Sequence, residues 1–225
     1  MTICVKTATG VVHVPDNTNV LLAVLKTVPD NKDVVLAVLN VDGELLEHVD
    51  ERWCKDEQVI LTAVKQCGRA LRFTRFMSKL NFEIVLRAVQ QDGLALQFAS
   101  HKLRQNRDIV LAAVSQEGFA LQFAMMQDNE IVLSAVLQNS WALQFAWDAD
   151  RDIVVEAVGQ CGLVLQYAQD FCDDDEIVWA AVQQNSFASE FASERLQKLI
   201  GSHIPRQPPY PPPSAKRKRR RTMRS

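Results

Sequence analysis

The residues best equipped for chemistry in this 225-residue chain are charged rather than nucleophilic. Four histidines (His13, His48, His101, His203) sit in four different contexts, and five cysteines (Cys4, Cys54, Cys67, Cys161, Cys172) are scattered without a Cys-x-x-Cys pair. Tetrahedral zinc needs closely spaced ligand pairs, so this set predicts reduced thiols rather than a metal site or a disulfide framework. No Ser-His-Asp, Cys-His or paired-carboxylate arrangement recurs at a spacing that would gather the groups, and no glycine-rich phosphate loop is present. The expectation is a chain that is not an enzyme, with no catalytic, cofactor-binding or metal-binding residues.

The strongest chemical signal is electrostatic. Lys216, Arg217, Lys218, Arg219, Arg220 and Arg221 form an unbroken basic block behind Pro205–Pro213, a proline-rich stretch unable to continue a helix. An import receptor's groove takes an extended peptide with alternating Lys and Arg heads, so the block resembles a monopartite nuclear-import signal and predicts the nucleus, with the cytoplasm as the alternative. The same cations fit nucleic-acid phosphates or an anionic membrane. Arg206-x-x-Pro209-x-x-Pro212 fits a polyproline groove of the SH3 type. Thr222 follows Arg219-Arg220-Arg221, where a basic-directed kinase would add a phosphate and reduce the local charge.

Charge along the rest of the chain is unevenly placed. The formal net charge is −2, but residues 206–225 carry +8, residues 52–107 carry +7, and residues 108–194 carry −14. Lys65, Arg69, Arg72, Arg75, Lys79 and Arg87 make up a candidate basic patch for nucleic acid. The acidic stretch, densest at Asp173–Glu176, predicts attraction to a basic peptide or to the chain's own tail. Apolar runs such as Ile109–Val114 are too short to span a membrane, and Met1–Gly10 lacks a signal-peptide pattern, so an intracellular protein is expected.

These charges ride on an internal repeat. EIVLRAVQQDGLALQFAS (Glu83–Ser100), DIVLAAVSQEGFALQFAM (Asp108–Met125), EIVLSAVLQNSWALQFAW (Glu130–Trp147) and DIVVEAVGQCGLVLQYAQ (Asp152–Gln169) are copies of one another. Gln58–Arg75 and Glu176–Ser193 fit well, and Asp33–Asp50 fits loosely. Ala63, Ala88, Ala113, Ala135, Ala157 and Ala181 mark steps of 25, 25, 22, 22 and 24 residues. Each copy predicts a helical hairpin: an acid at the positive end of an apolar helix, then a Gly or Asn-Ser serving as a left-handed stop, then a short second helix. In that second helix Ala120, Phe123 and Ala124 are expected to form one apolar stripe. Two glutamine columns, Gln66, Gln91, Gln116, Gln138, Gln160, Gln184 and Gln97, Gln122, Gln144, Gln166, should bond along the stack or to loop carbonyls.

The copies resemble a tandem-repeat family known as domain of unknown function 4116, with units similar to D-x-E-V-V-L-x-A-V-x-Q-N-G-x-A-L-Q-Y-A-S. The resemblance covers about 33–193 and implies a helical-repeat fold without an assigned activity. Ahead of it, Ile3, Val5, Lys6, Thr7, Thr9 and Gly10 resemble the opening hairpin of ubiquitin, read either as a truncated ubiquitin-like start or as a chance hairpin covering the first repeat. The expected fold is mainly α, with residues 1–28 a hairpin plus helix, 29–203 an α-solenoid of six or seven hairpins, and 204–225 a disordered tail. The expected function is a protein-interaction scaffold whose acidic repeats 108–194 bind a basic partner and whose tail meets an import receptor. The alternative is a nucleic-acid-associated protein using the tail and the 52–107 patch. No membrane span, cofactor or particular oligomeric state is implied.

Overall fold

A computed structural model describes residues 2–7, 10–15, 17–27, 29–75 and 78–202. They divide into two compact units, Met1–Met126 and Gln127–Ser225. The first contains strands β1 (Thr2–Thr7) and β2 (Gly10–Pro15), paired antiparallel with Val5 opposite Val12. Helices α1 (Thr18–Thr27), α2 (Lys32–Leu39), α3 (Glu57–Gln66), α4 (Phe82–Gln91), α5 (His101–Arg104) and α6 (Arg107–Gln116) follow. The second unit holds α7 (Asn129–Gln138), α8 (Arg151–Gln160), α9 (Asp175–Gln184) and α10 (Glu194–Ser202).

The first helix of each repeat except α8, whose Asp150 makes no side-chain cap bond, starts at a side-chain cap. Asn31, Asp56, Asn81, Asn106, Asp128 and Asp174 each accept a hydrogen bond from a backbone N–H in the first turn, satisfying donors that the helix itself leaves open. The acid expected to open the helix lies two residues beyond the cap, inside the first turn, where the helix dipole favours it. Ile, Val, Ala and Val then form the buried stripe: Ile84, Val85, Ala88 and Val89 in α4, and Ile153, Val154, Ala157 and Val158 in α8. Their spacing of three, four, seven and eight from the cap is one face of a 3.6-residue helix.

The second segment is a six-residue 3-10 turn rather than an α-helix, as in Gly93–Phe98, Gly118–Phe123 and Gly162–Tyr167. A 3-10 turn repeats every three residues, so it buries Gly118, Leu121 and Ala124 in line, together with Ala120. The expected stripe of Ala120, Phe123 and Ala124 is therefore corrected: Leu121 is fully buried and Phe123 only half so.

The glycine that begins this turn is also corrected. The residue before it is extended, with φ near −141° at Cys67 and −146° at Cys161, and no left-handed stop occurs at Gly43, Gly68, Gly93 or Gly162. Glycine is needed for closeness. A Cβ at Gly68 would stand 2.4 Å from the carbonyl oxygen of Ala88 in the next repeat, one at Gly93 2.4 Å from that of Ala113, and one at Gly162 only 2.1 Å from that of Ala181. Each obstacle is helix backbone and cannot rotate away.

Gly93→Ala is therefore expected to cost about 1–3 kcal/mol in urea unfolding, the range for overpacking a tight site. Gly201→Ala, with nothing within 4 Å of the added methyl, should stay within about 0.5 kcal/mol of the parent.

Candidate functional site

The two glutamine columns do different work. The amide of Gln91 donates to the carbonyl of Gln66 (3.2 Å) and accepts the N–H of Gly68, both in the preceding repeat. Gln184 repeats this in the second unit, donating to the Gln160 carbonyl (3.3 Å) and accepting from Gly162 N–H (2.7 Å). One amide thus joins a helix end and the following turn of its neighbour. The other column is local: Gln97, Gln122, Gln144 and Gln166 donate to the carbonyls of Leu94, Phe119, Trp141 and Leu163, three residues back.

The opposite edge, where the capped helices begin, concentrates charge in the second unit. Asn129 bonds Asp150, and Arg151 bonds Asp174 at 2.9 Å, so the N-terminal ends of α7, α8 and α9 stand next to one another. Residues 127–202 contain thirteen acids against three bases, and ten of those acids lie in the loops, caps or first turns that open α7, α8, α9 and α10. Each helix start contributes a positive dipole end that offsets part of the repulsion. Two arginines offset more. Arg151 reaches Asp174 and Glu176 (2.8 Å), and Arg195 reaches Asp173 (2.9 Å) and Asp175 (2.6 Å). The acidic run Asp173–Glu176 is thus laced by cations rather than offered bare. The Arg151 guanidinium holds the Asp174 carboxyl below the usual carboxylate range, against the opposing effect of its partial burial.

Aromatic rings share this edge. Trp147 lies in the loop before α8 and is 66 % exposed; Tyr167 ends its turn at 42 % exposed. Gln127 fixes the loop before Trp147, donating to the Phe145 carbonyl (3.0 Å) and accepting the Trp147 N–H (3.1 Å). Trp147 is the last position of its copy, a place held by Ser100, Met125 and Gln169 in the others, so the repeat pattern itself calls for no aromatic there.

The six residues of the expected basic patch lie in the first unit, on α3, α4 and the stretch between them, and most are engaged. Arg69 pairs with Asp92 (2.7 Å), Arg87 with Glu83 (2.8 Å) and Arg75 with Glu51. Arg72 lies over its neighbour Phe73, 4.3 Å from the ring centroid, and Lys79 donates to the Arg72 carbonyl at 3.3 Å. Lys65, in the last turn of α3, is exposed. Lys216–Arg221, Thr222, Arg206, Pro209 and Pro212 lie outside the described residues.

Cys54, Cys67, Cys161 and Cys172 are free thiols. Burial pushes the Cys54 and Cys67 thiols up, the reverse of what an activated nucleophile requires. In the hairpin, the strand register sets Cys4 opposite His13. Among the described residues no group of three or more His, Cys, Asp or Glu is placed to hold a metal ion. No helix among them is long and apolar enough to cross a membrane. Open depressions at the start of α2 (Thr27, Pro29–Asp33) and along α3 (Asp56–Gln58, Leu61, Thr62, Lys65) are lined largely by cap and first-turn residues.

Tandem copies of a capped α-helix and a 3-10 turn, joined by backbone-to-amide bonds, define a helical-repeat protein. The chain belongs to the family described as domain of unknown function (DUF4116), whose sequence model matches residues 31–77, 81–125 and 150–197, well over half of it. Residues 126–149 fall between those matches yet carry the same cap, helix and turn. No curated protein and no solved structure matches the chain.

Two outcomes follow for stability. Gln184→Ala should cost about 1–3 kcal/mol in denaturant unfolding, because it removes two partners of backbone groups, whereas Gln166→Ala removes one local bond and should cost less. For Asp174 the lowered carboxyl stabilises the fold fully above its ordinary value of about 4 and stops doing so as pH falls through the lowered value. Acid unfolding monitored by circular dichroism should therefore be shallower below about pH 4 in Asp174→Asn than in the parent.

Proposed function

We propose that this chain is a non-enzymatic scaffold for protein interactions, its repeats continuing as an α-solenoid, with the acidic repeats 108–194 taking a lysine- and arginine-rich partner. What chiefly supports the reading is the acidic edge of the second unit, where Asp148 and Asp150 follow the exposed Trp147 in the loop before α8 and Asp170 lies in the short 3-10 turn Gln169–Phe171 that follows the part-exposed Tyr167. Carboxylates supply long-range attraction, and aromatic faces receive guanidinium or ammonium heads at close range. The Trp147 ring is exposed, whereas Tyr167 also packs edge to face on Trp141 and Asp150 accepts from Asn129.

We further propose that Lys216–Arg221 directs import into the nucleus. The nucleic-acid alternative has weaker support, since Arg69, Arg75 and Arg87 already face carboxylates of their own unit.

Fluorescence anisotropy with a labelled Lys/Arg-rich peptide tests the partner reading. Affinity should fall as salt rises, and Trp147→Ala should weaken it by about threefold to fivefold. A peptide that fails to bind at low ionic strength, or binds equally well after Asp148→Asn with Asp170→Asn, would sink it. For the tail, a fluorescent fusion lacking Lys216–Ser225 should lose nuclear accumulation; retention in nuclei removes the import role. Duplex DNA bound at low salt by the same truncated chain would favour the nucleic-acid alternative.

A further inference from the structure

Asn, Asp and Ser cap a helix about equally well, so the needs of its own helix do not decide which of them a repeat carries. The choice follows instead the residue that opens the preceding helix. Lys32, the first residue of α2, reaches across to the cap of α3, its Nζ 2.7 Å from Asp56. Asn129 and Arg151, first in α7 and α8, meet the following cap positions Asp150 and Asp174 in the same way, Arg151 at 2.9 Å. Asp150 makes no cap bond to its own helix, so its carboxylate serves the neighbour. From α3 to α4 the sense is reversed: Glu57 opens α3, and the next cap is Asn81, whose amide donates to the Glu57 carboxylate at 3.4 Å.

The order of residues keeps this rule at every step from α2 to α10. Where the opening residue carries a donor (Lys32, Arg107, Asn129, Arg151), the cap that follows in sequence is the acceptor Asp (Asp56, Asp128, Asp150, Asp174). Where it is acidic or apolar (Glu57, Phe82, Asp175), the cap that follows is uncharged (Asn81, Asn106, Ser193). Asp175 itself bonds Arg195, at 2.6 Å. A cation in the first turn opposes the helix dipole, whose positive end favours an acid. Lys32, Arg107 and Arg151 stand at that unfavourable place, which an anion on the next repeat makes tolerable. The pairing also survives changes of spacing. Successive caps lie 25 residues apart from Asn31 to Asp56 but 22 from Asp128 to Asp150. The difference falls after the aromatic that ends each 3-10 turn, which stands seventeen positions after the cap: Phe98 after Asn81, Phe145 after Asp128, Tyr167 after Asp150.

We propose that the opening residue of one repeat and the cap of the next form a recognition pair that selects which copy packs on which. The glycine contact does not distinguish neighbours, since Gly43, Gly68, Gly93 and Gly162 each approach an alanine carbonyl alike. The helix-start edge does. Its partner is the helix start of another copy with the opposite hydrogen-bonding sense, and a wrong neighbour is penalised: Lys32 beside an Asn cap lacks its anion, and Glu57 beside an Asp cap meets like charge. The copies therefore share one backbone step without being equivalent neighbours. The inference is independent of the partner-binding reading.

Thermal unfolding of the full chain tests it through two mirrored double-mutant cycles. Asp56→Asn should lower the midpoint by about 1–3 °C in the parent and raise it in a Lys32→Glu background, where an amide then meets a carboxylate. Asn81→Asp should lower the midpoint by a similar amount in the parent and raise it in a Glu57→Lys background. Asp is thus the better cap at 56 and Asn at 81, and exchanging the preceding residue should invert each preference. An Asp-for-Asn exchange that moves the midpoint in one direction, or not at all, whichever residue opens the preceding helix would overturn the proposal, because the cap would then serve its own helix alone.

Discussion

Gly68 lies against the carbonyl of Ala88, Gly93 against that of Ala113, and Gly162 against that of Ala181, each with no room for a methyl group. The rest of the repeat can be derived from this contact. At these three steps the close approach of turn to helix backbone is allowed by the glycine that begins the turn and the alanine it faces, whereas the Ser140–Phe145 turn begins with a buried serine. The approach brings the next repeat's glutamine within reach of the glycine N–H, so Gln91 and Gln184 can each bond two backbone groups of the preceding copy. It also determines what fills the space on either side. Leu71, Leu96 and Leu165 sit three residues into their turns and are fully buried, because the turn is pinned at its start. A wider spacing would lose the amide bonds and open voids around those leucines together.

Much of this was legible in the sequence, and the remainder was obscured for definable reasons. The period, the first helix and its buried Ile-Val-x-x-Ala-Val face follow from a pattern long enough to separate 3.6-residue spacing from its rivals. Six residues are too few to do the same for the second segment. Ala120, Phe123 and Ala124 fit an α-helical stripe as neatly as Gly118, Leu121 and Ala124 fit a 3-10 one, and hydrogen bonding chose the latter. The glycine misled because a left-handed stop and a close approach place the same residue type at the same point in a chain. The caps were overshadowed by the acids two residues on, which carry a stronger charge signal.

For the candidate site, composition revealed where charge collects but not how it is spent. Asp92 lies 23 residues from Arg69 and Glu51 lies 24 from Arg75, so no local reading pairs them. Stacking does, because it sets equivalent positions of successive copies side by side. The same geometry explains why the acidic edge of the second unit is tolerable. Its carboxylates stand at helix starts, where the backbone is positive, and Arg151 and Arg195 each span two of them. Screening by solvent keeps each of those exposed pairs weak, so they organise the edge more than they stabilise the fold.

The fixed stretch from cap to aromatic, set against loops of changing length, also bears on how such an array is inherited. Within the fixed stretch, one inserted or deleted residue would move the glycine off its carbonyl and the glutamine off its N–H at once. Between stretches, a residue more or less alters only a loop. Unequal exchange between two copies, joined at equivalent caps, therefore yields a chain in which every surviving copy still fits its neighbour. The number of copies is free to drift across generations, while the step between them is not.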